Sequence, residues 1–214
     1  MFGATITIAF GAGAVLEVYP EWWGARGDGV TSCTVGIQSA LDSNSNAADS
    51  MKVVLGKGIY MFGQLSLDTY AHLAGVGQGL TVLRAITATN DDLIVHADSP
   101  GSQVIITDLL IDGESTNQTA GSCIKFSSVH NVWIERVTLT DAKEYGLELV
   151  TCNNVQFSNG QITDCQAGGF IATTSEQCNL TNSVLELNEN FEATYISAAT
   201  NAVSHISGCW FESS

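Results

Sequence analysis

Four carboxylates recur along the second half of this 214-residue chain: Asp112, Asp141, Asp164 and Glu186. Paired carboxylates cleave glycosidic bonds. One protonates the leaving oxygen while the other attacks or activates water, and a separation of ~5 Å or of ~6.5–9.5 Å decides retention or inversion. Close like charges also raise one pKa and so supply the acid. Asp is equally an ordinary turn residue, so the same recurrence fits loop chemistry alone. A second set is aromatic and polar: Trp133, Glu135, Gln156, Asn179 and His205. A ring beside amides and hydroxyls suits a sugar, although Trp133 is as well suited to cover a loop or a neighbouring subunit. His72, His96, His130 and His205 are scattered and the six cysteines form no CxxC pair, so no metal site is expected. Cys123, Cys165, Cys178 and Cys209 lie in or beside strand-like runs and read as small buried hydrophobes. Lys125 and Glu148 hold matching places in successive repeats, which predicts a surface ion pair.

What positions these residues is a repeat. From Val104 onward, five segments carry the same apolar spacing, at offsets 0, 2, 5 and 7, starting at Val104, Val132, Val155, Cys178 and Ser204. The successive starts differ by 28, 23, 23 and 26 residues. Offsets 0 and 2 share one face of a strand, because strand side chains alternate. The step from 2 to 5 changes parity, so the chain bends there and a second strand faces the same interior. Asp108, Arg136, Asn159, Asn182 and Gly208 fall at that bend. Each repeat adds a third apolar run: Ile124 with Phe126, Leu147 with Leu149, Phe170 with Ala172, and Ile196 with Ala198. Three short strands per turn describe a triangular coil stacked into a parallel solenoid, the all-β right-handed single-stranded parallel β-helix. Asn131 and Asn154 each precede a first strand and are placed to hydrogen-bond from turn to turn. An antiparallel sandwich needs more hairpin signals than Asp28-Gly29 and Asp112-Gly113 provide.

Composition narrows the function. Hydrophobic residues are 45% of the chain, enough for a core, while charged residues are 14%. Acidic residues number 22 against 7 basic, a formal net charge of −15, the reverse of a nucleic-acid footprint and repelled by an anionic membrane. The apolar opening Met1–Leu16 has no Lys or Arg before Arg26, so no signal peptide is recognised, and glycines interrupt it too often for a membrane span. It reads as a strand pair around Gly11–Gly13. Export would then depend on a larger particle or on a signal elsewhere.

The stretch Pro20-Glu21-Trp22-Trp23-Gly24-Ala25-Arg26-Gly27-Asp28-Gly29-Val30-Thr31 resembles the opening motif of the pectate-lyase-like superfamily, which includes bacteriophage tailspike depolymerases and secreted polysaccharide enzymes. The resemblance implies a short capping helix, and Thr34–Leu41 fits it with Val35, Ile37, Gln38 and Leu41 at helical spacing. Val53–Tyr60, His72–Gly77 and Thr81–Leu83 resemble the strands and turns that follow, so the match covers residues 19–85 and the repeats carry it to the end. Ser32 and Cys33 stand where many relatives have an acidic pair, which argues against a metal or catalytic role for that loop.

The expected organisation is therefore a strand segment over 1–18 and a β-helix over 19–214, with a capping helix at about 34–41 and clear rungs from 104. The expected function is a polysaccharide-binding and polysaccharide-degrading β-helix of a phage tailspike or secreted depolymerase, hydrolysing glycosidic bonds with paired carboxylates. The alternative is a non-catalytic structural or glycan-binding module of a virion fibre or cell-surface protein, because the fold hosts both. No cofactor is expected, and Ca²⁺ would enter only with a lyase mechanism. The resemblance implies a homotrimer, which would cover the apolar strand edge around Ser204–Phe211 unless further chain does so.

Overall fold

Short segments whose side chains alternate inward and outward bury their inward side only when another segment stacks directly above. A computed structural model describes residues 15–43, 51–97, 100–196 and 204–212. The strands stack in this way, each parallel to its equivalent one turn on. The fold is a right-handed parallel β-helix with three faces.

The first face runs from Glu17–Val18 through Lys52–Val54 and His72–Ala74, then the opening halves of two twelve-residue strands, Gly101–Asp112 and Val129–Thr140. It continues with Asn153–Ser158, Glu176–Thr181 and Ile206–Ser207. The second face runs from Asp28–Ser32 through Gly58–Phe62 and Thr81–Ala85, the closing halves of the same two long strands, and Gln161–Thr163, Val184–Glu186 and Trp210–Glu212. The third face is a separate six-stranded sheet from Leu65–Leu67 to Ala193–Ile196.

The expected register holds. Val104, Val132, Val155 and Cys178 align in one buried column, and Ile106, Ile134, Phe157 and Leu180 in the next. The bend residues Asp108, Arg136, Asn159, Asn182 and Gly208 all have φ between 48° and 64°. This left-handed turn re-phases the strand so that both of its halves face inward, and Asn and Asp tolerate it better than most residues. In both long strands the ladder runs straight through the bend, so two expected strands form one element. The Asn ladder also forms: Asn154 Nδ2 donates to Asn131 Oδ1 at 2.8 Å, and Asn131 Nδ2 to Ser102 Oγ at 3.3 Å.

Two expectations need correction. In the last third-face strand, Ala193 and Tyr195 align with Phe170 and Ala172, so they are the inward residues. Ile196 aligns with the outward-facing Thr173 and is exposed, while Ala198 lies outside the described residues. The apolar Ile196 misled because strand parity alone decides direction. The helix spans Thr34–Asp42, one residue beyond its expected end, and buries Ile37, Ala40 and Leu41; Val35 turns out to solvent.

The helix stands where the leading turn would have its third-face strand. Gln38 donates through Nε2 to Ser66 O at 2.9 Å and accepts from Ser66 N at 3.0 Å, so one side-chain amide closes the sheet edge that a further strand would otherwise pair with. The opening motif braces this end. The Glu21 carboxylate accepts from Tyr60 Oη and from Gly56 N at 3.3 Å, and a Cβ on Gly58 (φ 151°) would lie 2.5 Å from Gly27 O. Glu17–Val18 pairs with Lys52 and Val53 and so joins the first face, whereas the expected strand pair around Gly11–Gly13 lies outside the described residues.

Candidate functional site

Outward side chains of the first face stack into columns. One contains Lys52, His72, Ile105, Trp133, Gln156 and Asn179, and His205 N donates to Asn179 Oδ1 at 2.9 Å to extend it. The next holds Thr107, Glu135, Ser158, Thr181 and Ser207. The five expected sugar-contacting residues, Trp133, Glu135, Gln156, Asn179 and His205, thus share one surface. Trp133 is 41% exposed, a flat ring standing among amides and hydroxyls. Two rungs away in the same column, His72 is partly buried with Nε2 unpartnered, and burial followed by the Lys52 charge holds its pKa below the usual histidine range.

The corner beside this platform is closed. Arg136 Nε donates to Asp108 Oδ1 at 2.6 Å and Nη2 to Oδ2 at 3.0 Å, while Nη1 bonds Glu135. This fork–fork pair spends the guanidinium on two carboxylates and, first of its causes, depresses the Asp108 pKa. The loop after His72–Ala74 crosses the same corner. Gly77 N donates to Asp108 O at 2.8 Å, and Gln78 Nε2 reaches Asn159 O at 3.4 Å, two rungs further on. Sequence reasoning did not foresee the loop, whose contact joins residues 81 positions apart. The Asp108–Arg136 pair was legible, since opposite charges occupy the same bend position in successive repeats.

The acidic column divides. Asp112 and Glu186 align with Thr140 and Thr163, three rungs from one another and roughly 14 Å apart at ~4.8 Å per rung. Asp141 and Asp164 sit one residue later, each at a left-handed corner with φ of 53° and 57°. They stand on neighbouring rungs, ~4.8 Å apart by strand spacing. Each of the four carboxylates already has a partner: Asp112 holds Arg84 at 2.9 Å, Asp141 accepts from Ser115 Oγ, Asp164 accepts from Thr163 Oγ1 at 2.9 Å, and Glu186 accepts from Gln161 Nε2 at 2.8 Å. All four lie at the far end of the second face. Along the strand from Trp133 to Asp141 runs roughly 26 Å of chain at ~3.3 Å per residue, with a bend between. Platform and acids occupy different surfaces.

On the third face, Asp92, Glu144 and Glu148 bring carboxylate oxygens within 4.8 Å of one another. Lys125 Nζ sits among them, 3.5 Å from Asp92 and 3.2 Å from Glu148, which realises the expected Lys125–Glu148 pair. Cys33, Cys123, Cys152, Cys165 and Cys178 are free and buried, and Cys209 is half-buried. Desolvation pushes the Cys165 and Cys178 thiols up to about 12.

The family model described as "Rhamnogalacturonase A/epimerase, pectate lyase-like" matches residues 22–207, from the opening motif to the strand Ile206–Ser207. The chain belongs to this family. Among its relatives is the mannuronan C5-epimerase AlgE6 of Azotobacter vinelandii, 30% identical over 177 residues, 69% of this chain and 20% of that protein. The chain thus spans about a fifth of the curated relatives it matches. The structure of the AlgE6 A-module superposes with a TM-score of 0.81 at 22% identity, covering 91% of this chain and 56% of that one. ORF18 of Geobacillus virus E2 superposes with a TM-score of 0.78 at 18% identity, covering 91% and 42%. At these identities the superpositions show the parallel β-helix fold and nothing finer. Among the described residues, no helix is long and apolar enough to cross a membrane.

Proposed function

We propose that this chain is the polysaccharide-binding β-helix of an extracellular or virion-borne protein, and that it holds a linear glycan along the outside of its first face. The observation that carries this reading is Trp133, 41% exposed in register with Gln156 and Asn179 and beside the Glu135 column. An aromatic plane flanked by amide and hydroxyl groups stacks on a sugar ring and satisfies its hydroxyls. Kinship supports it, since relatives bear the names of polysaccharide epimerases and an alginate lyase. Retention on polysaccharide-bearing affinity gels tests it: Trp133→Ala should lose retention while unfolding at the same temperature as the wild type. Equal retention of both proteins would remove the platform.

A second reading, glycosidic hydrolysis, is favoured by Asp141 and Asp164 standing on neighbouring rungs, with Asp112 and Glu186 flanking them in the adjoining column. Against it stands their distance from Trp133. Reducing-end release from a panel of acidic and neutral bacterial polysaccharides discriminates. Asp141→Asn and Asp164→Asn should each abolish release without affecting binding, and full activity in both variants makes these residues turn chemistry alone.

The reading extends to assembly as a homotrimer, as in the tailspike resemblance. Its support is the tailspike resemblance; Trp210, Phe211 and Ile206, 62%, 42% and 41% exposed, form an apolar edge that a partner chain or a further rung would cover. Light scattering that reports a monomer would remove this part.

A further inference from the structure

Resting on the reading of the first face as a glycan platform, we infer that the glycan it takes is built of uncharged sugars and that a polyuronate is disfavoured there. The argument is a charge inventory of the surface around Trp133. From the strand Gly101–Asp112 to the strand Glu176–Thr181, the outward and corner residues of the first face are dominated by neutral donors and acceptors: Asn153, Gln156, Ser158, Asn159, Asn179 and Thr181. The charged side chains among them are Asp108, Glu135 and Glu176 against one guanidinium, Arg136, with the imidazole of His130 in the column of Ser102, Asn153 and Glu176. The guanidinium is not free for a ligand, because both its nitrogen edges are occupied by Asp108 and Glu135. Beyond Ile105 the column continues through His72, partly buried, to Lys52, three rungs from the Trp133 ring, and then to Glu17.

A polyuronate brings one carboxylate per sugar and would lay several beside three fixed carboxylates with no uncommitted guanidinium or ammonium next to the ring. Each such carboxylate would lose water without gaining a counter-charge. A neutral glycan meets the same surface favourably. Its hydroxyls donate to the acceptor oxygens of Glu135 and Glu176 and accept from the amides of Gln156 and Asn179. Asn153 Nδ2 already donates to Glu176 Oε2 at 3.3 Å, which holds that carboxylate in place with its second oxygen available. The inference has a chemical corollary. Without a carboxyl at C5, a sugar has no acidified C5 proton, so neither β-elimination nor C5 epimerisation can occur on this platform.

The test compares a polymer with itself. Polygalacturonate and polymannuronate, each beside its carboxyl-reduced neutral form, and a set of neutral glucans and mannans are titrated into the protein while tryptophan fluorescence is followed, with Trp133→Phe as the reference for Trp22, Trp23 and Trp210. The expected result is a Trp133-dependent change with at least one neutral polymer, at least tenfold weaker for the uronate form of the same backbone. Residual uronate binding should strengthen as salt rises, because screening relieves like-charge repulsion. Glu135→Gln should narrow the gap between the two forms. Tighter binding of a uronate than of its reduced form, weakening with salt, overturns the inference and leaves the platform standing. No Trp133-dependent change with any polymer overturns the platform itself and the inference with it.

Discussion

The ring of Phe157 fills the space that a side chain at residue 160 would need. A Cβ built on Gly160 would lie 2.6 Å from Phe157 Cζ and 2.5 Å from Val137 O. These two residues occupy neighbouring inward columns, where the preceding rung has Ile134 with Val137 and the following one Leu180 with Ser183. One turn therefore exchanges two medium side chains for one large and none. Close packing of an interior favours such a compensating pair.

The exchange is testable by a double-mutant cycle. Phe157→Ala removes a fully buried aromatic and should cost about 3–5 kcal/mol in urea unfolding. Gly160→Ala should also destabilise, by overpacking, about 1–3 kcal/mol. In a Phe157→Leu background the Gly160→Ala penalty should shrink. A penalty unchanged by Phe157→Leu would show that Val137 O alone excludes the methyl group.

Gln38→Ala breaks both hydrogen bonds to the Ser66 backbone and reopens the sheet edge. The expected cost is about 1–3 kcal/mol, as for backbone groups left without partners. Amide exchange at Leu65–Leu67 should accelerate before that of any internal third-face strand. Uniform acceleration along the face would mean that the helix caps through Ile37 and Leu41 alone.

Asn154 combines a left-handed backbone, φ 55°, with the amide bond to Asn131. Asn154→Gly keeps the backbone and loses the bond, while Asn154→Ala loses the bond and adds strain. Thermal unfolding should place the alanine variant about 1 kcal/mol or more below the glycine variant. Equal stabilities would mean that the backbone relaxes out of the left-handed region.

Asp28 closes the turn of the opening motif. Its carboxylate accepts from Thr31 N at 2.7 Å, Thr31 Oγ1 at 2.7 Å and Val30 N at 2.9 Å, and these bonds, those from Thr31 foremost, lower its pKa to about 2. A carboxylate depressed by folding contributes stability above its unfolded pKa, ~3.9, and loses it as pH falls through the folded value. The Asp28 part of acid destabilisation should therefore fall between pH ~4 and ~2 and vanish in Asp28→Asn. Carbon-detected NMR should show the Asp28 carboxyl titrating near 2, and a midpoint near 4 would show that the turn does not hold in solution.

Thiol accessibility offers a further check. In the native protein a disulfide reagent at pH 8 should modify Cys209 first, because it alone of the six cysteines is half-buried. The five buried thiols should react only on unfolding, Cys165 and Cys178 included, whose desolvation favours the neutral form. Rapid modification of more than one thiol would indicate rungs that open in the native state.

The β-helix was legible in the sequence because its information is local and repeated. Offsets 0, 2, 5 and 7 fix which side chains point inward, a polar residue or glycine at each bend supplies the left-handed turn, and recurrence over 23–28 residues sets the parallel register. The capping helix was legible through the resemblance, which implies a helix after the opening motif, and Ile37 and Leu41 at helical spacing fit it. The surface was harder to read. Asp112 and Glu186 follow the last inward residue directly while Asp141 and Asp164 follow it by two positions, a difference present in the repeat alignment that changes which column each joins. Strand parity, not hydrophobicity, assigned Tyr195 to the inside and Ile196 to the outside. Only the tertiary structure revealed that the loop carrying Gln78 crosses the corner at Asp108 and ends on Asn159, that Arg136 is already shared between two carboxylates, and that Trp133 and the acidic corner face different directions. Inward columns repeat along the chain, so a sequence displays them. Contacts across a corner join residues tens of positions apart once each, and a single occurrence leaves no period to read.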